Sequence, residues 1–171
     1  MKKFAFILSF TMATPVPLLF AQTKNQTITA AAAAFEKLKS LAGEWQGPGP
    51  QGLITISYQI VSGGSAVMET LVPINEPSMV TLYHLDGGKL MMTHYCSIGN
   101  QPRMQAEPPR ASEIKKLNFA FVAATNLAKP FAGHMAHLTF TFQDQDHFTQ
   151  VWTWRQEGKD SPALFSLQRK K

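Results

Sequence analysis

Apolar and polar residues alternate along most of this chain with the two-residue period of a β-strand that buries one face. From Leu53 to Val61 the alternation puts Ile54, Ile56, Tyr58 and Ile60 on one side. Ser62-Gly-Gly-Ser65 turns the chain and Ala66 to Val72 returns. Met79 to Leu85 and Lys89 to Cys96 form a hairpin around Asp86-Gly87-Gly88. Prolines punctuate a loop over Ser97 to Arg110, with a short strand near Arg103 to Ala106. Ile114 to Val122 aligns Leu117, Phe119 and Phe121, and His134 to Phe142 aligns Ala136, Leu138, Phe140 and Phe142. His147 to Gln156 aligns Phe148, Trp152 and Trp154, and Ala163 to Arg169 closes the series. One segment has helical spacing instead. Thr29 caps an alanine-rich run to Leu41 whose Phe35, Leu38 and Leu41 form a docking stripe, with Gly43 as the stop. The pattern therefore predicts an all-β fold of about eight to ten antiparallel strands behind an N-terminal α-helix. Successive hairpins favour an up-and-down barrel, because closure removes exposed strand edges.

Composition adds a compartment. Lys2 and Lys3 precede an apolar run, Phe4 to Phe20, that is broken by Pro15 and Pro17 and followed by Ala21. Residues 1–21 read as an export signal, 22–28 as a flexible leader and 29–171 as one β-barrel domain. The product is expected in the periplasm or the medium, with no membrane span after cleavage. The formal charge of +5 falls to +3 when Lys2 and Lys3 leave, 14 basic residues against 11 acidic. That balance carries no nucleic-acid footprint. A single cysteine makes no internal disulfide, so the fold depends on its core, for which 44% hydrophobic residues suffice.

Leu41-Ala-Gly43-Glu-Trp45 carries a resemblance. A short helix leading into Gly-x-Trp on the first strand is similar to the calycin superfamily, the lipocalins and related small-molecule-binding barrels. That resemblance implies an apolar cavity, a helix across one end, and a basic residue of the last strand packed on the Trp. Arg169 is the matching residue for Trp45. The lipocalin Thr-Asp-Tyr signature is missing. Gly43-Glu-Trp45-Gln-Gly47 also resembles haem-binding barrels of the nitrobindin type, which would imply haem as a cofactor, but no Tyr-Pro closes the next strand. The residues themselves require no cofactor. The His-Tyr-Cys-x-x-Gly-Asn-Gln-Pro-Arg and Ala-Thr-Asn-Leu segments resemble exported bacterial proteins of unassigned function.

Candidate chemistry concentrates between Tyr83 and Arg103. A three-residue loop at Asp86-Gly88 would set Val80, Leu82, His84, Leu90, Met92, His94 and Cys96 on one face. A two-residue loop would instead set Tyr83 with Leu90, Met92 and His94. Either way His94 and Cys96 share a face, roughly 6–7 Å apart. The pair suggests an imidazole-activated thiolate or two soft metal ligands; the plainer reading is a buried thiol beside a hydrogen-bonded histidine. Asn100-Gln-Pro-Arg103 offers a rigid polar tip for a carboxylate or phosphate, or else a loop that satisfies its own carbonyls. Strand spacing sends His134 inward with the apolar set and His137 outward, and no metal site is assigned. Glu69 alternates with Val67 and Leu71, and on that parity it is a buried carboxylate. The opposite parity turns Met68, Thr70 and Val72 inward and leaves Glu69 in water. Trp152 and Trp154 either line a pocket or fill the barrel. The leading expectation is reversible binding of a small, largely apolar molecule, oriented by His84, His94, Cys96, Asn100, Arg103, Glu69 and His134 with Trp152 and Trp154 as walls. The alternatives are an enzyme using His94, Cys96 or Glu69, and an envelope-associated interaction module with a filled barrel.

Overall fold

The computed structural model describes residues 29–109 and 114–171. The export signal and leader expected at 1–28 lie outside the described residues, as does the end of the proline-rich loop at Arg110. A helix, α1 (Ala30–Lys39), precedes ten strands: β1 (Gly43–Gly49), β2 (Gly52–Val61), β3 (Ala66–Val72), β4 (Met79–Asp86), β5 (Lys89–Tyr95), β6 (Gln101–Ala106), β7 (Lys116–Thr125), β8 (His134–Phe142), β9 (His147–Gln156) and β10 (Lys159–Arg169). Each strand pairs antiparallel with the next, and β1 pairs with β10 to close the barrel.

The helix begins where Thr29 accepts a hydrogen bond from the Ala32 N–H at 3.2 Å. It ends at Lys39, two residues short of the expected Leu41, because Leu41 and Ala42 switch to the tighter bonds to Leu38 and Lys39 carbonyls. Ala34, Phe35, Leu38 and Leu41 are all buried. The helix packs on β2, β4 and β5 and so covers the barrel end where those hairpins turn. The opposite end, the mouth, carries the β1–β2, β3–β4, β5–β6, β7–β8 and β9–β10 connections.

Closure is local and has identifiable supports. Trp45 pairs with Arg169 and Gln46 with Gln168, and no further register joins β1 to β10. The Arg169 guanidinium lies 4.2 Å over the Trp45 ring and donates to the Ala42 carbonyl at 2.9 Å and the Ser40 carbonyl at 3.1 Å. The Trp45 indole N–H donates to the Leu41 carbonyl at 2.7 Å. One arginine and one tryptophan thus tie the helix, the first strand and the last strand together. The glycines of the motif have steric causes. Gly43 has φ +124°, and a Cβ on Gly47 would collide with the Ser166 carbonyl across the seam.

The structure decides between the two hairpin registers and corrects one position on β2. The β4–β5 hairpin has a two-residue loop, with Asp86 opposite Lys89 and Leu85 opposite Leu90. Gly87 and Gly88 at φ +53° and +83° supply the positive dihedrals of a tight primed turn, so Asp86 stays in the strand. His84 and Leu82 therefore face outward, and Thr81, Tyr83, Leu90, Met92 and His94 are buried. Ile60, expected on the inner face of β2, is largely exposed at the strand's end. The predicted loop at Ser97–Arg110 is shorter than expected, since β6 already starts at Gln101.

Candidate functional site

Four inward side chains stand in one line across four strands. Tyr58 is the register partner of Glu69, Glu69 of Thr81, and Thr81 of His94. Glu69 is 0% exposed and His94 2%. From the far wall, Gln150 and Trp152 of β9 reach into the same space. Strand parity alone produces this line, because each residue lies opposite its neighbour on the buried face.

A buried carboxylate costs several kcal/mol unless its lone pairs are bonded. Glu69 Oε2 accepts three hydrogen bonds, from Tyr58 Oη at 2.7 Å, Tyr83 Oη at 2.8 Å and Gln150 Nε2 at 2.9 Å. Gln150 Nε2 also lies 2.8 Å from Tyr58 Oη, and Trp152 Nε1 donates to Gln150 Oε1 at 3.4 Å. Burial raises the Glu69 pKa, and the three donors pull it back down. The Tyr58 and Tyr83 phenols are pushed well up, first by burial and then by the Glu69 charge, so both remain donors. Glu69 Oε1, in contrast, accepts nothing among the described residues.

His94 presents the same asymmetry. Its Nδ1 is 2.9 Å from Thr81 Oγ1, its ring centroid is 4.6 Å from that of Trp152, and its Nε2 has no partner among the described residues. Burial lowers its pKa to about 4, so the ring is neutral at pH 7. Among the described residues the interior therefore holds two unpaired polar atoms, Glu69 Oε1 and His94 Nε2.

The other expected residues do not join this line. His84 lies on the outer wall, half-buried. Cys96 packs partly buried against the core in the turn after β5, but the His94 imidazole spends its one bond on Thr81. Asn100 is buried and donates from Nδ2 to the Gly133 carbonyl at 2.9 Å, which ties the β5–β6 loop to the β7–β8 loop. Asn126 does the same from the other side, donating to the Gly99 carbonyl at 2.6 Å. Arg103 sits on the outer face of β6 and is exposed, so Asn100 and Arg103 do not converge on a common tip. A β-bulge between Met135 and His137 shifts the register, so that His134 pairs with Arg155 and Met135 with Trp154. The His134 ring lies tilted against Phe121, with centroids 4.5 Å apart, and its Nδ1 contacts the Ala132 carbonyl at 2.8 Å. Trp152 is buried in the core, whereas Trp154 is half-buried at the mouth with its ring against Gly133. Sequence reasoning missed Tyr58, Tyr83, Thr81 and Gln150 as site residues. Gln150 had a usable signal, a polar residue placed between Phe148 and Trp152 on an apolar face.

Above the polar line, the mouth opens into a cavity of about 180 Å³ lined by Ile54, Leu71, Met79, Met135, Ala163 and Phe165, among others. Leu71 and Met79 are register partners, each two residues from Glu69 and Thr81 on the same strand face. They form the floor of the cavity and separate it from the Glu69 carboxylate by one layer of side chains.

No family model and no curated protein matches the chain. Among solved structures, the chain is similar to the crystal structure of Rv2717c from M. tuberculosis, with a TM-score of 0.53 and 16% identity over 81% of this chain and 98% of that one. At that identity the likeness is one of fold.

Proposed function

We propose that this barrel reversibly binds a small, largely apolar molecule at its mouth. The observation that carries the reading is the apolar cavity above Leu71 and Met79. Met79 and Met135 supply adaptable walls and Phe165 a flat one. At about 180 Å³ the cavity is smaller than the roughly 300–1,000 Å³ of drug-sized ligand sites, so the ligand is compact. The helix across the far end, the Gly43-Glu-Trp45 entry and the Arg169 stacking support a calycin-like relationship for the barrel. Haem does not fit: Trp152 lies against the His94 ring at 4.6 Å, and the mouth cavity is too small for a macrocycle.

The test is a fluorescent apolar probe titrated into the protein and displaced by short alkanes and alcohols. Ala163 faces inward opposite Trp152, so Ala163→Trp fills the cavity. Binding should fall at least tenfold while the fold is retained by circular dichroism. Unchanged probe affinity in Ala163→Trp would remove the mouth as the binding site.

A second reading, an interaction module, has its own observation. Ile98 is 61% exposed and Phe131 81%, on the two loops that Asn100 and Asn126 join, and Phe131 holds φ +65°. An exposed apolar ring on a strained backbone is doubly unfavourable for an isolated chain. Ala163→Trp affects only the carrier reading and so separates the two.

A further inference from the structure

The mouth cavity explains an apolar ligand but leaves the polar line beneath it without a use. A barrel core that served packing alone would be at least as stable with apolar residues at Glu69 and His94. Instead Glu69 directs Oε2 into three hydrogen bonds and leaves Oε1 bare, and His94 leaves Nε2 bare. Both atoms belong to side chains at least nine-tenths buried and both face the barrel interior. Oε1 accepts in the ionised carboxylate, and Nε2 accepts in the imidazole tautomer that donates from Nδ1 to Thr81.

Two acceptors select a donor. Among the described residues no Lys or Arg bonds to the Glu69 carboxyl, and the partners of its Oε2, Tyr58, Tyr83 and Gln150, are neutral. A neutral donor would satisfy the hydrogen bond but leave the buried charge uncompensated. A protonated amine meets both requirements, and the neighbouring Tyr58, Tyr83 and Trp152 rings suit a cation by their quadrupoles. Anionic heads are excluded by the same carboxylate.

We propose that the ligand of the mouth cavity is a small apolar amine whose ammonium group passes the Leu71–Met79 floor and donates to Glu69 Oε1, with His94 Nε2 as the second acceptor. This rests on the mouth-binding reading and narrows its ligand class. Met79, one of the two floor side chains, has three rotatable bonds, so a change of its rotamer opens the floor without moving the backbone.

Hexylamine, hexanol and hexanoate, titrated calorimetrically into the full protein at pH 7, test it. The expected order is hexylammonium at least tenfold tighter than hexanol, with hexanoate weakest. Glu69→Gln should erase the preference for the amine over the alcohol. Should Glu69→Gln misfold, His94→Leu serves as the second variant, with a smaller loss confined to the amine. A crystal structure grown with hexylamine should place nitrogen on Glu69 Oε1. Equal affinity for amine and alcohol, or a structure with only a water on Oε1, overturns the ammonium assignment and leaves mouth binding intact. No binding of any of the three, together with no probe binding, overturns the mouth reading itself.

Discussion

At the scale of single residues, His94 and Glu69 are opposed in their response to pH. His94 is buried against Trp152 and Thr81, and that burial lowers its pKa to about 4, so it is neutral at pH 7. A group whose folded pKa is depressed from 6.5 stabilises the fold above pH 6.5, and that stabilisation fades as pH falls toward 4. For His94 alone the loss between pH 7 and pH 5 is about 2 kcal/mol. Glu69 has a raised pKa, so the folded state binds its proton more readily than the unfolded chain, and acidification through the carboxylate range returns some stability. The net slope from pH 7 to 5 is expected to follow His94, because its window begins higher. Urea unfolding at both pH values measures it. The wild type should lose about 2 kcal/mol more than His94→Gln, which keeps a bond to Thr81 but does not titrate. Equal losses in the two proteins would mean that His94 is not held neutral in the fold.

At the scale of elements, the joint between α1, β1 and β10 depends on geometry that charge alone does not supply. The Arg169 guanidinium stacks on Trp45, donates to Ser40, Ala42 and Gln145 carbonyls, and approaches Asp146 at 3.3 Å. A lysine keeps the charge but loses the planar fork and the stacking. Arg169→Lys should therefore cost about 2 kcal/mol, most of the cost of Arg169→Ala, in chemical denaturation. A lysine variant as stable as the wild type would reduce the joint to an ordinary ion pair. This joint was expected only through the resemblance carried by Gly43-Glu-Trp45, which implied a basic residue of the last strand packed on the Trp. The polar line was only half legible. Alternation placed Tyr58 inward, but Glu69 was balanced between two parities, and the β4–β5 register rested on whether Asp86 joined the turn. A one-residue difference there moves His84 and Tyr83 to opposite faces, and only the dihedrals of Gly87 and Gly88 settle it. The bulge at Met135–His137, which removed His134 from the inner face, left no mark in the residue pattern.

At the scale of the whole molecule, the barrel wall has its fewest register pairs at the seam where the first and last strands meet. β9 and β10 pair over ten registers, β1 and β10 over two. Toward the mouth the seam strands carry Pro48 and Pro162, which have no N–H to pair, and Gly47 lies so close to Ser166 that no side chain fits between them. Phe165 takes up the remaining space against Gly49 and also lines the mouth cavity. The weakest part of the wall therefore borders the proposed binding site, and local opening there needs to break few backbone bonds. Native-state hydrogen exchange checks this. The Ala163–Ser166 amides should exchange through an opening of lower free energy than the Met91–Thr93 amides, which lie between the β4 and β6 registers. A ligand at the mouth packs against Phe165, so saturating hexylamine or hexanol should slow exchange at the seam before it slows exchange in β5. Uniform protection across both strands, unchanged by ligand, would show that the barrel opens only by global unfolding and that ligand entry does not use the seam.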